Sequence, residues 1–99
     1  MTLWRTFEFR GRDPNDNPFV DFGFVEVEGG RLALSSHMLR EPLWVDSEAA
    51  VLSCFQQYYE GRGFTHLRYK VLWDDNGPVD TPFEEGWANL EKPLAGSGG

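Results

Sequence analysis

A chain of 99 residues and 11.3 kDa holds one domain's worth of sequence and little more. At 40% hydrophobic and 15% aromatic residues it is too apolar for intrinsic disorder, yet no apolar run approaches the ~20 residues of a membrane span. Sixteen Asp and Glu against nine Lys and Arg give a net charge of −7, which opposes phosphate-backbone binding by net attraction; the single cysteine, Cys54, excludes an internal disulfide framework and a cysteine-only zinc site.

The start, Met1-Thr2-Leu3-Trp4-Arg5, lacks the basic start and apolar run of a secretory leader, so a cytoplasmic protein is expected. From residue 3 the chain alternates. Leu3, Arg5, Phe7 and Phe9 fall on one face and Trp4, Thr6, Glu8 and Arg10 on the other, the period of a half-buried strand with Arg5 as the misfit. Asp13-Pro14-Asn15-Asp16-Asn17-Pro18 breaks it as a turn. A second strand runs from Phe19 to Glu28. Its apolar parity switches between Phe22/Phe24 and Val25/Val27, and a β-bulge at Gly23 is the expected device. Gly29-Gly30 then reads as a two-residue hairpin tip that sets Glu28 against Arg31, Val27 against Leu32 and Val25 against Leu34.

Leu43-Trp44-Val45 has the makings of a short strand. Asp46 or Ser47 is the expected cap of a helix running to about Glu60, with Glu48 in its positive first turn and Gly61 as its left-handed stop. Val51, Leu52, Phe55, Tyr58 and Tyr59 form that helix's apolar stripe. Alternation returns at Thr65, with Leu67, Tyr69, Val71 and Trp73 on one side and His66, Arg68, Lys70 and Leu72 on the other. The pattern predicts an α+β domain over residues 1–94: a single-layer antiparallel sheet of about four strands packed on one α-helix, with an irregular acidic C-terminal segment. The other sheet face is expected to be polar, and residues 95–99 to form a flexible Gly/Ser tail. The expected core joins Phe7, Phe9, Val25, Val27, Leu32, Leu34, Val51, Leu52, Phe55, Leu67, Tyr69 and Val71.

Few side chains invite catalysis. His37 and His66 have no metal-ligand spacing, no nucleophile elbow is present, and Cys54 falls mid-helix, away from the helix start that would lower its pKa. The Asp74 loop departs from a calcium loop at Pro78 and Val79, and the Asp13 loop departs at Phe24. Arg62 to Tyr69 partly resembles the RNP1 octamer of RNA-recognition domains, but Thr65 and His66 replace its small and aromatic residues, and a helix rather than a strand precedes it. The basic residues Arg62, His66, Arg68 and Lys70 are instead expected to pair across strands with Glu8, Glu26 and Glu28. No metal and no cofactor are expected.

Charge asymmetry is the strongest anomaly. Residues 74–99 carry six acids against Lys92 alone, and among them stand Val79, Phe83, Trp87 and Leu90. Carboxylates around aromatic anchors suit a basic partner: the charge speeds association and the buried rings supply affinity. The reading is a non-catalytic acidic binding module, monomeric or homodimeric, that inhibits or regulates a basic protein of nucleic-acid machinery by presenting carboxylates in place of phosphates, as a phage- or bacteria-encoded regulator would. Partner binding is assigned to Asp74, Asp75, Asp80, Glu84 and Glu85, with Trp87 as anchor. The alternative is an assembly subunit that self-associates through a sheet edge, as in a phage complex; an enzyme working with carboxylates alone ranks last.

Overall fold

A computed structural model describes residues 2–74, 76–79 and 85–90. Among the described residues, seven strands and one helix follow in the order β1 (Thr2–Arg12), β2 (Pro18–Glu28), β3 (Arg31–Ser36), β4 (Leu43–Val45), α1 (Ala49–Gly61), β5 (Thr65–Asp74), β6 (Gly77–Pro78) and β7 (Ala88–Asn89). All pairings are antiparallel, in the order β4-β3-β2-β1-β5-β6, and β7 also pairs with β5. The α+β class holds, whereas the strand count rises from about four to seven. The segment expected to be irregular contributes β6 and β7, which are too short to leave a periodic trace but satisfy backbone groups along the outer side of β5.

The turns are chemically specified. Gly29 and Gly30 have φ of 59° and 81°, the twin left-handed conformations of a type I′ turn, and the register is Val27–Leu32 and Glu28–Arg31 as expected. Between β1 and β2 the Asp13 carboxylate accepts the amides of Asn15 and Asn17, each at 2.9 Å. The start of α1 differs from expectation. Glu48 holds the N-cap position without a side-chain hydrogen bond, and the Asp46 carboxylate instead accepts from the Arg31 guanidinium at 2.9 Å. The left-handed stop is Gly63 rather than Gly61: its amide reaches the Glu60 carbonyl while Phe64 N–H reaches back to Tyr59, and the Phe64 and Tyr59 rings close the motif 6.0 Å apart.

The core forms where Phe7, Phe9, Val25, Leu32, Leu34 and Leu67 of the sheet meet Val51, Phe55 and Tyr59 of α1; Leu90 is also buried there. Val27, Leu52, Tyr69 and Val71 pack against it partly buried, so every expected core residue takes part. The ring of Phe55 lies 4.7 Å from Phe9 and 6.3 Å from Phe7.

The second sheet face departs from expectation. β2 carries no bulge at Gly23; its pairing with β1 and β3 runs unbroken there. Gly23 faces the core because a side chain would collide: a Cβ would stand 2.5 Å from Phe9 Cε2 and 2.9 Å from Phe55 Cζ. Phe22 and Phe24 therefore project from the opposite face, and Asp21 is buried in their stead. Irregularities fall in β1 and β5 instead. The first, between Leu3 and Arg5, leaves Leu3 exposed and lets Trp4 pack on the core, the reverse of the simple alternation. Another near Leu72 aligns Trp73 with Thr6 and turns it away from the Leu67–Val71 face.

Candidate functional site

The face of the sheet away from α1 is built in cross-strand rows. Trp73, Thr6 and Phe24 form one row, Lys70, Glu8 and Phe22 the next, and Arg68, Arg10 and Val20 the one after. Phe22, Phe24 and Trp73 are 36%, 39% and 40% exposed, and Leu3 and Trp44 extend the apolar area toward β4. The carboxylates of Glu26 and Asp74 border it in sequence and register. Glu26 sits between Leu3 and Ala33, while Asp74 follows Trp73 and its Oδ1 accepts the Asn76 amide at 2.8 Å. Apolar groups on an exposed face cost solvation unless something covers them, so such a patch marks a docking surface more often than chance.

The opposite end of the same face is basic. Lys70 faces Glu8 as expected, but Arg68 faces Arg10, Glu26 faces Leu3 and Ala33, and Glu28 faces Arg31. Among the described pairings, Lys70 is the residue of that basic stripe whose register places it opposite one of those carboxylates. Glu8 is nearly buried and accepts from Arg10 Nε at 2.6 Å. Trp87 lies over this region, its ring 5.1 Å from the Arg10 guanidinium, 5.5 Å from Arg68 and 6.0 Å from Lys70 Nζ. Beside it opens a cleft of about 720 Å³ lined by Arg10, Arg12, His66, Arg68, Trp87 and Asn89 among others.

Three of the residues assigned to partner binding, Asp74, Glu85 and Trp87, are among the described residues. Asp74 is half-buried at the end of β5, whereas Trp87 precedes β7 on the stretch of β5 around Arg68, so β5 separates them along its length. Glu85 is exposed in the bend before Trp87. Asp75, Asp80 and Glu84 lie outside the described residues. Trp87 is half-buried against the domain's own cations, whereas Phe22, Phe24 and Trp73 are each more than a third exposed. The signal for Phe22 and Phe24 is the second parity of β2, which the expectation of a bulge at Gly23 explains away, whereas Trp73 is turned outward by a slip in β5 that periodicity does not mark. The Arg10–Arg68 juxtaposition had no signal, since register between β1 and β5 is set by bulges.

Other titratable groups serve the interior. The Tyr59 hydroxyl, desolvated and bonded to Asp21, is held well above the ordinary tyrosine range. Burial also pushes the Cys54 thiol up, which opposes thiolate chemistry. Among the described residues no three of His, Cys, Asp and Glu converge on a metal-sized site, and no helix is long and apolar enough to cross a membrane. No protein-family model matches the chain, and neither a curated protein nor a solved structure matches it significantly.

Proposed function

We propose that this protein is a non-catalytic binding module that docks on a basic protein through the outer face of its sheet. The observation that carries this reading is the group of Phe22, Phe24 and Trp73, each more than a third exposed, on β2 and β5 either side of β1, on a face whose alternation predicts polar residues. Desolvated aromatics supply most of the affinity in small interfaces, and surrounding carboxylates raise the rate of encounter with a positive partner. The net charge of −7 and the acids of residues 74–85 give that steering field. The acidic region thus acts by attraction and the sheet aromatics by burial. Inhibition or regulation of nucleic-acid machinery is the role this pairing fits, because such enzymes present basic surfaces.

Self-association through a sheet edge is the weaker alternative. β4 offers an edge of three residues, and the outer side of β5 is occupied in part by β6 and β7. The test is affinity capture from lysate at low and high salt with the wild type and the F24T/W73T variant. A basic protein retained at low salt, released at high salt and lost by the variant is the expected result. Equal capture by the variant, or capture indifferent to salt, overturns it. A dimer by light scattering that F24T/W73T dissociates, without any captured partner, would establish the assembly role instead.

A further inference from the structure

We propose that the cleft at the Arg10–Arg68 end of the sheet binds a small phosphate-bearing ligand of nucleotide size, a role beyond the docking face and independent of it. Arg10 and Arg68 stand directly opposite one another on neighbouring antiparallel strands. Like charges so placed repel, and the arrangement is stabilised when an anion shares both. Glu8 balances Arg10 through its Nε. Arg68 and Arg12 are both exposed and form no ion pair among the described residues; Arg12 is tied only to the Asp16 carbonyl at 3.1 Å. In a chain of net charge −7, two guanidiniums beside one cleft with no ion pair among the described residues run against the global field.

The backbone at this end is shaped for the purpose. Between the pairs Arg10–Arg68 and Arg12–Thr65 the register slips, and His66 takes a φ of 56°. Gly11 permits the slip, since a Cβ there would stand 2.6 Å from the Thr65 carbonyl oxygen. Bulges re-aim side chains, and left-handed conformations of residues other than glycine gather at binding sites, where surrounding structure maintains the strain. Here the result is that His66 joins Arg10, Arg12 and Arg68 around the opening, with the Trp87 ring as a wall and Asn89 as an amide donor and acceptor. The volume of about 720 Å³ suits a nucleotide-sized molecule. Guanidinium forks match phosphate oxygens bidentately, and the charge of a phosphate approaching −2 answers converging arginines better than a single carboxylate does.

The probes are ADP and inorganic pyrophosphate at low salt, measured by titration calorimetry on the full chain, with succinate as the carboxylate competitor. Saturable binding of both phosphates is expected, weakened about tenfold or more in R12Q/R68Q, the loss that charge-assisted hydrogen bonds imply. Succinate should not compete. That variant removes a cross-strand repulsion together with the exposed Arg68–Trp87 and Arg12–Asp16 contacts, small effects of opposite sign, so a melting temperature within about 5 °C of the wild type separates lost binding from lost folding. F24T/W73T should bind ADP normally, so failure of the docking reading leaves this one standing. Absence of saturable binding up to millimolar ADP and pyrophosphate, affinity unchanged in R12Q/R68Q, or competition by succinate equal to that of pyrophosphate each overturns the proposal.

Discussion

The hydroxyl of Tyr59, in the last turns of α1, donates a 2.6 Å hydrogen bond to Oδ2 of Asp21, a carboxylate only 2% exposed on the core face of β2. The other oxygen of Asp21 accepts the Phe22 amide at 2.8 Å. A charge buried in a small aromatic core is tolerated only when its lone pairs are filled, so the helix and sheet are joined by a polar bond that neither can lose without exposing the other's deficit. Tyr59→Phe should cost about 1–3 kcal/mol in chemical denaturation, since it leaves Asp21 short of a donor. A loss below about 0.5 kcal/mol would show that Asp21 finds another partner.

The same bond predicts an alkaline limit. The folded state keeps Tyr59 protonated above the ordinary tyrosine pKa, whereas the unfolded chain ionises it near pH 10. Its contribution is thus complete below about pH 10 and falls as pH rises beyond, by up to ~1.4 kcal/mol per pH unit, because the unfolded state then binds fewer protons than the native one. Stability measured from pH 8 to 11 should fall more steeply in wild type than in Tyr59→Phe, where this site cannot titrate.

Phe55 packs on Phe7, Phe9 and Tyr59 and is fully buried. Phe55→Ala should therefore cost roughly 3–5 kcal/mol by equilibrium unfolding, the range of large aromatic deletions in cores. A loss under about 1 kcal/mol would mean that α1 does not share a core with the sheet.

Gly23 stands where the core leaves no room for a side chain. Adding one methyl at 2.5 Å from Phe9 and 2.9 Å from Phe55 forces both rings to move, so Gly23→Ala should destabilise by about 1–3 kcal/mol despite favouring an extended backbone. Gly61→Ala is the control: it meets nothing within 4 Å and ends α1, so it should be neutral or slightly stabilising in thermal melts.

The Cys54 thiol, half-buried and raised by desolvation, should react with a disulfide reagent at pH 7 well below the rate of a free thiol and reach that rate on unfolding. Rapid native-state labelling would place a thiolate-stabilising group nearby and reopen a nucleophilic role.

F24T/W73T should change folding stability little, because both side chains are more than a third exposed and threonine preserves strand propensity. A large loss would reassign the outer aromatics to the domain's own packing.

Local chemistry is where sequence and structure agree. Two glycines in succession demand a primed turn, and with the tip placed, the alternation of Val25 and Val27 against Leu32 and Leu34 admits one register. The helical stripe from Val51 to Tyr59 and the Asp13 turn are of the same kind, set by contacts a few residues apart. Tertiary structure decided what depends on strands distant in the chain. Whether Gly23 marks a bulge or a gap for Phe9 and Phe55 turns on rings contributed by β1 and α1, and that choice sends Phe22 and Phe24 outward and Asp21 inward. The pairing of β1 with β5 includes two slips, so facing residues cannot be counted from periodicity; Arg10 meets Arg68, and Trp73 turns to the outer face. Periodicity assigns a residue to one of two faces, but a single inserted residue reverses that assignment for all that follow, and only the partner strand determines where the insertion falls.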